Sequence, residues 1–442
     1  MAVALAAHLR QAAGLALAAM WVFEVLVLLF SWHAARWAGM AVFAAYFAVA
    51  LVLSRPAQRW VIAAIAALAV AGALHYSIPA ALARGIESAV LFAAFLAAMQ
   101  MLGVALESSP AAGIARSQFT SLDRGQRHDS ILLRTHLLSS VLGAGGLAAV
   151  SPLLDRARPA QERRAFAESA LQGFGLVVLW SPFFVAMAVS TRLARDATLA
   201  AAVASGLAMA SVGLALSHLL HGGRLGLAVL APLRRTLGEA ALLAAAIIVA
   251  NRLWGLGNLE AVALGIPLAS LWIARHKLRT GLPLLGRRWY GSLESIAVEA
   301  LVVGVSMALG EVIRQLLAQG MISIPHGMGA WPTGLLIALP LLVMLPTALV
   351  GLHPIVSASC LVPLLASVDK LHSLAVTGSV LLGWMPCVML SNFVVPVMYA
   401  ASLFDVRQAE LVRGRNLRFC AIFTPIGLLY LWGLNALLGP GT

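Results

Sequence analysis

The stretch LQGFGLVVLWSPFFVAMA, from Leu171 to Ala188, places a serine and a proline in the middle of an apolar run that could occupy the centre of a bilayer. Later in the chain, LLGWMPCVMLSNF (Leu381 to Phe393) places a second Trp-x-Pro in the same kind of run. Proline removes a backbone donor and interrupts a helix, so we expect both segments to be membrane crossings that are broken midway. Two such interruptions predict two copies of one structural element.

The composition is typical of an integral membrane protein. Of the 442 residues, 61% are hydrophobic and 11% are charged, and the mean hydropathy is +0.93. No soluble domain of this size buries so much apolar surface, so most of it must face lipid or neighbouring helices. The net charge of +13 then indicates cytoplasmic loops that obey the positive-inside rule, rather than a nucleic-acid surface.

Eleven apolar runs have spanning length, and two further runs are interrupted. The eleven are 10–30, 37–54, 59–78, 86–106, 169–190, 197–219, 237–253, 258–274, 291–317, 373–402 and 419–438. The interrupted runs are 135–154, with GAGG at Gly143 to Gly146, and 333–366, with GLHP at Gly351 to Pro354. Because each interruption lies mid-run, each predicts a re-entrant hairpin of two half-helices. The sequence therefore predicts an all-α membrane protein with about 11 transmembrane helices and two re-entrant hairpins.

Basic residues predict the orientation. The first hairpin is flanked by arginines on both sides, namely Arg116, Arg124, Arg127 and Arg134 before it and Arg156, Arg158, Arg163 and Arg164 after it. The second is flanked by 318–332, which has no Lys or Arg, and by 367–372, which has only Lys370. We therefore expect cytoplasmic ends for the first hairpin, periplasmic ends for the second, a cytoplasmic N-terminus and a periplasmic C-terminus. Arg192 and Arg195 are exceptions to this charge pattern, because they fall on the predicted periplasmic side.

Three landmarks recur in the same order. Ile86 to Ser88 (IES) matches Leu293 to Ser295 (LES), displaced by 207; Ser151 to Leu154 (SPLL) matches Val362 to Leu365 (VPLL), displaced by 211; and Trp180-Ser-Pro182 matches Trp384-Met-Pro386, displaced by 204. An odd number of crossings separates the copies, which predicts an inverted repeat. The chain then divides into scaffold helices 1–85, a first repeat 86–219, linking scaffold helices 220–290, a second repeat 291–402 and a C-terminal helix 403–442.

Small and polar residues cluster at the predicted tips and breaks, where half-helix N-termini attract anions and freed carbonyls coordinate cations. The candidate substrate-binding residues are Ser139, Ser140, Gly143, Gly145, Gly146 and Ser151 at the first tip, His353, Ser357 and Ser359 at the second, and Ser181, Ser391 and Asn392 at the breaks. Structural alternatives stay open, since glycines permit close helix packing and His353 or Asn392 could bond a neighbouring helix. No Walker loop, HExxH or nucleophile elbow is present, and we expect no catalytic residue, cofactor or bound metal.

The order of crossing, hairpin and broken crossing over residues 86–402 resembles the ion transporter superfamily, in particular its divalent anion/sodium symporter branch. The resemblance implies a homodimer, a scaffold built from the intervening helices, and elevator-type movement of the hairpins. In that branch, a Ser-Asn-Thr motif at each tip binds sodium and the substrate carboxylate. This chain has Gly143-Ala-Gly-Gly146 and His353-Pro354 instead, which leaves the coupling ion open between sodium and a proton carried by His353.

The leading prediction is a secondary active transporter for a small anionic, carboxylate-type solute. Only two of the 30 basic residues are lysines, a bias typical of GC-rich bacteria, which places it in a bacterial inner membrane. The expected partners are the solute and the lipid bilayer. Two alternatives stay open: a membrane subunit that works with a separate solute-binding protein in a tripartite carrier, and an integral-membrane enzyme or lipid-handling protein. The longest polar loop, 108–134, offers an enzyme only Asp123, His128 and Asp129 among arginines.

Overall fold

The computed structural model describes residues 2–107, 122–143, 145–150, 159–194, 197–226, 229, 245–274, 278–322 and 328–439, and these residues are all-α. The helices are α1 Ala2–Phe30, α2 His33–Leu53, α3 Pro56–His75, α4 Pro79–Glu107, α5 Arg124–Leu142, α6 Gly145–Val150, α7 Ala160–Val177, α8 Val185–Ala194, α9 Leu199–His221, α10 Ala245–Trp254, α11 Asn258–Ala274, α12 Leu278–Ser295, α13 Ala297–Ala318, α14 Thr333–Leu349, α15 Pro354–Ala366, α16 Ser373–Leu390, α17 Val395–Phe404, α18 Gln408–Arg413 and α19 Arg415–Leu438.

The all-α membrane fold predicted from the sequence is confirmed. Within the described residues, eight helical segments are long and apolar enough to cross a membrane, and they coincide with eight of the predicted crossings. The other three predicted crossings are 169–190, which is broken, 237–253, of which α10 is described, and 258–274, which is α11. Residues 278–288, which lie between the predicted crossings 258–274 and 291–317, form the first part of α12.

The chain forms two compact units, Met1–Ser108 with Val249–Pro325, and Ser109–Ile248 with His326–Thr442. In the first unit, α4 and α13 pack closely: a Cβ added at Gly85 would lie 2.7 Å from the Cα of Ala308. The Trp289 indole N–H donates to the Ala97 carbonyl at 2.8 Å, and the Tyr46 hydroxyl donates to the Ala297 carbonyl. These bonds give the aromatic polar groups partners that a lipid environment would not supply.

The second unit contains both predicted hairpins and both predicted broken crossings. Its first segment is α5, a turn, α6, then α7, a break and α8; its second is α14, a turn, α15, then α16, a break and α17. The α5 arm begins earlier than predicted, because Asp123 caps it: the Asp123 carboxylate accepts from the Gln126 N–H at 2.9 Å, and the Gln126 side chain accepts from the Asp123 N–H at 3.1 Å. Such a reciprocal pair is a strong helix start.

The second break lies later than the sequence predicted, and the assignment of the break to Trp384-Met-Pro386 is wrong. Helix α16 continues through Pro386 and ends at Leu390, and the break is at 391–394. The helix survives the proline because it is buried from Leu374 to Leu390 and its neighbours hold it. At Gly383, an added Cβ would lie 2.9 Å from the backbone of α14. Packing of this kind lets a membrane helix keep an interior proline.

Candidate functional site

The first hairpin turns at Gly143, which has φ +55° and ψ −130° and is therefore suited to glycine. The Gly143 N–H donates to the Ser139 carbonyl at 2.9 Å, and the Gly146 N–H donates to the Gly143 carbonyl at 3.1 Å. The chain then doubles back so tightly that a Cβ at Gly146 would lie 2.1 Å from the Ser139 hydroxyl oxygen. Helices α5 and α6 are consequently packed against each other, and residues 144 and 151–154 of the predicted hairpin lie outside the described residues.

The second hairpin turns at Gly351, which has φ +98°. Pro354 begins α15, and the His353 Nδ1 accepts a hydrogen bond from the Ile355 N–H at 3.3 Å, so the imidazole caps the helix. The His353 ring also meets the Trp384 ring edge-on, with centroids 6.1 Å apart. One hydrogen bond, between the Thr347 and Ser357 hydroxyls at 3.0 Å, joins the two arms. The structure thus gives His353 a capping role.

The two breaks are tied to the two hairpins by the same pair of hydrogen bonds. At the first break, the Ser181 hydroxyl donates to the Ser140 carbonyl at 2.6 Å and accepts from the Phe183 N–H at 3.2 Å. At the second, the Ser391 hydroxyl donates to the Ala348 carbonyl at 2.6 Å and accepts from the Phe393 N–H at 3.2 Å. Each serine thus satisfies two backbone groups in a segment where the helix ladder is interrupted. We call each arrangement a serine clamp.

The clamps define how the two segments correspond. Ser181 matches Ser391, displaced by 210, and Ser140 matches Ala348, displaced by 208. The turn glycines agree, since Gly143 and Gly351 are also displaced by 208. This correspondence replaces the Trp-x-Pro match, whose displacement of 204 was the smallest of the three found in the sequence.

The two segments also pack reciprocally. Helix α15 of the second hairpin contacts α8 of the first segment, and α6 of the first hairpin contacts α17 of the second segment. Helix α16 contacts α8 while α7 contacts α17, and the long helices α7 and α16 contact each other. Two of these contacts are therefore each matched by a second contact in which the two segments are exchanged.

Neighbouring helices hold the first break in place. A Cβ added at Gly206 of α9 would lie 1.8 Å from the Leu179 carbonyl oxygen, so α9 contacts the unwound backbone directly. His136 of α5 contacts it as well, because its Nε2 accepts from the Trp180 indole N–H at 3.0 Å while its Nδ1 lies 2.9 Å from the Gly173 carbonyl. Of the residues at the break, Ser181 is buried completely. The unwound backbone is therefore enclosed by protein.

The other predicted site residues fall into three groups. Ser139, Ser140, Gly146, Ser357 and Ser359 are buried, Gly143, Gly145 and His353 are half-buried, and Asn392 is exposed. The Ser140 and Ser359 hydroxyls donate within their own helices, to the Leu137 carbonyl at 2.7 Å and the Val356 carbonyl at 2.9 Å. The structure therefore brings together Ser140 with Ser181 and Ser139 with Gly146. Ser151 lies outside the described residues.

Sequence reasoning missed a buried polar cluster further along the same helices. The Ser217 hydroxyl donates to the Gln172 side-chain oxygen at 2.6 Å, and the Gln172 amide donates to the Asn416 side-chain oxygen at 3.1 Å. All three residues are fully buried. They join α9, α7 and α19. Ser217 and Gln172 are polar residues in predicted membrane crossings, and this property could have identified these two in the sequence. Because each member bonds another, the cluster acts to fix these helices together.

Arg134 was counted from the sequence as a charge flanking the first hairpin. It lies instead within the hairpin arm α5 and is only 7% exposed. A guanidinium in a buried position is much less common than one in a loop.

The described residues contain no group of three His, Cys, Asp or Glu side chains that could hold a metal ion.

No family model matches the sequence, and no curated protein matches it. Among solved structures, the chain is similar to one described as the crystal structure of the Alcanivorax borkumensis YdaH transporter, which reveals an unusual topology. The two share 13% identity, the TM-score is 0.49, and the match covers 82% of this chain and 88% of that one. At this identity and TM-score, the similarity assigns no function to the present chain.

Proposed function

We propose that the chain is a secondary active transporter that moves a small anionic, carboxylate-type solute across a bacterial inner membrane. The observation that carries the proposal is the pair of serine clamps. Irregular backbone at membrane depth is tolerated only where protein encloses it or where it lines a cavity. Paired broken helices with their hairpins are a recurrent way for transporters to present backbone dipoles to a solute.

The solute site is proposed to lie between the two segments of the second unit. Their reciprocal packing supports a two-fold relationship, and the charge pattern of the loops supports opposite orientations in the membrane. Together these two observations favour an inverted repeat, in which the two hairpin turns would approach the midplane from opposite sides. A solute held between inverted halves can face either side of the membrane as the halves move.

The transport movement is proposed to be of the elevator type. The hairpins, both broken helices, α9 and α19 all belong to one compact unit, whereas α1–α4 and α11–α13 belong to the other. An elevator mechanism needs one unit that carries the solute and a second that stays fixed against the bilayer. We assign the first of these roles to the second unit. A homodimer, in which two fixed units form the interface, is part of the same proposal.

Binding measurements on the purified protein test the proposal. The melting temperature of the full chain in detergent would be followed while carboxylates such as succinate, glutamate and benzoate are added, with and without sodium. A ligand that binds only the folded state raises the melting temperature by mass action. We expect at least one carboxylate to do so at millimolar concentration, while amino sugars and neutral sugars do not. Stabilisation by none of the carboxylates would contradict the solute class.

A further inference from the structure

Arg134 is a buried cation with no protein partner among the described residues. It lies in the middle of α5 and is 7% exposed, its Nε has no hydrogen-bond partner, and no described carboxylate lies within ion-pair distance of it. The partly buried Arg314 of α13 differs, because its guanidinium bonds both oxygens of Glu311. Arg163 of α7 likewise pairs with Asp405 at 3.0 Å. Burying a charge is costly unless it is paired, so the position of Arg134 favours the binding of an anion.

Three hydroxyls of α5 also lack hydrogen-bond partners among the described residues. Ser130 lies one turn before Arg134, Thr135 follows it directly, and Ser139 lies one turn after Thr135; all three are buried. Helical Ser and Thr residues usually donate to a carbonyl of the preceding turn. Ser169 and Thr424 do so in this unit, at 2.8 Å in both cases. The arm α5 thus carries a guanidinium and three hydroxyls that have no hydrogen-bond partner among the described residues.

The second hairpin provides an internal comparison. With the displacement of 208 that relates Gly143 to Gly351, Ser130, Arg134 and Thr135 correspond to Ala338, Leu342 and Val343 of α14. Leu342 is 54% exposed. The equivalent arm therefore folds with apolar side chains at these positions, and the hairpin architecture does not require polar ones. The polarity of α5 must serve another purpose.

We propose that Arg134 binds the carboxylate of the transported solute, with the hydroxyl of Ser130, one turn away on the same face of α5, as a further donor. This inference rests on the proposed transport function and names the residue that gives it its preference for anions. A guanidinium presents two parallel N–H groups that match the two oxygens of a carboxylate. Binding would also neutralise the charge of the arm, so that the loaded hairpin moves through the bilayer without an uncompensated cation.

The test compares Arg134→Gln and Arg134→Lys with the control Arg224→Gln. Arg224 is 76% exposed and pairs only loosely with Asp123, at 3.6 Å. Two quantities are measured on the full chain: the melting temperature without ligand, and the dissociation constant for succinate, benzoate, inorganic sulfate and inorganic phosphate. The inorganic anions separate a site for carboxylates from one for any oxyanion.

Two results are expected together. Without ligand, Arg134→Gln melts at the same temperature as the wild type or higher, because it removes an uncompensated buried charge. With ligand, it loses roughly 10- to 100-fold in affinity for the carboxylate that the wild type binds, as expected for a hydrogen bond to a charged group. Arg134→Lys keeps part of the affinity, since lysine retains the positive charge but lacks the two parallel N–H groups of the guanidinium. Arg224→Gln changes neither quantity.

Three results would overturn the inference. If the wild type and Arg134→Gln bind the same carboxylate equally, Arg134 is not its partner and the proposed transport function stands. Asp155 follows the first hairpin in the sequence and lies outside the described residues. If Arg134→Gln melts at a lower temperature than the wild type and the further change Asp155→Asn restores it, the guanidinium pairs with that carboxylate. If sulfate and phosphate bind through Arg134 and no carboxylate does, the solute class is wrong. Wild-type protein that binds none of the four anions and none of the other carboxylates named above would contradict the proposed function itself.

Discussion

The hydroxyl of Ser391 donates a 2.6 Å hydrogen bond to the carbonyl oxygen of Ala348, and so ties the second broken helix to the arm of the second hairpin. Ser181 makes the same bond, at the same length, to the Ser140 carbonyl in the first segment. A hairpin arm ends with carbonyls that its own helix cannot satisfy, and a broken helix begins again with N–H groups in the same position. One hydroxyl at each place meets both needs, which explains why serine occurs at both breaks.

The clamps predict matched losses of stability. Ser181→Ala and Ser391→Ala each leave a buried carbonyl without its donor, which costs about 1–3 kcal/mol of unfolding free energy. Ser211→Ala is the control, because Ser211 is exposed and donates only within its own helix. Melting temperatures of the three variants check the prediction. Equal stability of all three would mean that the clamps do not hold the breaks.

A second prediction concerns Gly206, which contacts the Leu179 carbonyl at the first break. Gly206→Ala would place a Cβ 1.8 Å from that oxygen, so α9 must move, and overpacking of this kind costs about 1–3 kcal/mol. Gly433→Ala in α19 is the control, since nothing lies within 4 Å of the added Cβ. Alanine has the higher helix propensity, by about 1 kcal/mol. We therefore expect opposite shifts in melting temperature, and shifts of the same sign would contradict the close contact.

Hydrophobic runs and glycine turns were predictable from the sequence, and the position of the second break was not. A segment that crosses the bilayer must be apolar over a fixed length, so the sequence itself shows where the crossings lie. Glycines that interrupt such a segment likewise located the turns at Gly143 and Gly351. Proline is a weaker guide, because packing around Gly383 keeps α16 helical through Pro386. Ser391 lies at the break itself and therefore marks its position better than Pro386 does.

The turns also made it predictable which of the candidate residues lie close together, while their binding of a solute stays a prediction. Residues close to the tips, such as Ser140 and Ser181, could be named from the turns that surround them, and they do meet. Arg134 lies nine positions before Gly143, and a basic residue near a predicted loop is normally a topology signal. Only the tertiary structure shows that this arginine is buried.

Asn392 and Ser359 allow a third prediction. Asn392 is exposed, and no described residue bonds its side chain, so Asn392→Ala should leave the melting temperature unchanged. If both residues line the solute site, loss of one hydrogen bond weakens binding by roughly 0.5–1.5 kcal/mol, or about 2- to 13-fold. Calorimetry with the carboxylate that stabilises the wild type measures this. Unchanged affinity in Asn392→Ala and Ser359→Ala would remove both from the site.

The opposite orientation of the two hairpins is tested by labelling. Single cysteines at exposed positions 123 and 160 flank the first hairpin, and those at 331 and 369 flank the second. The background would carry Cys360→Ala, because Cys387 and Cys420 are buried. Asp123→Cys and Ala160→Cys should react with a membrane-impermeant maleimide only from the cytoplasm, and Trp331→Cys and Asp369→Cys only from the periplasm. Labelling of 123 and 160 from opposite sides would make the first hairpin an ordinary crossing.

Uptake by proteoliposomes tests transport itself. Purified protein would be reconstituted, and accumulation of the radiolabelled carboxylate that binds it would be followed under an imposed sodium gradient, an imposed proton gradient, or neither. We expect accumulation that an ionophore abolishes, with weak dependence on sodium, because the tips carry no Asn or Thr side chain of the kind that the resembled family uses. Arg224→Gln should accumulate the solute as the wild type does, and Arg134→Gln should not. If folded wild-type protein binds a carboxylate but its proteoliposomes accumulate none under either gradient, the proposal that this chain is a secondary transporter is contradicted.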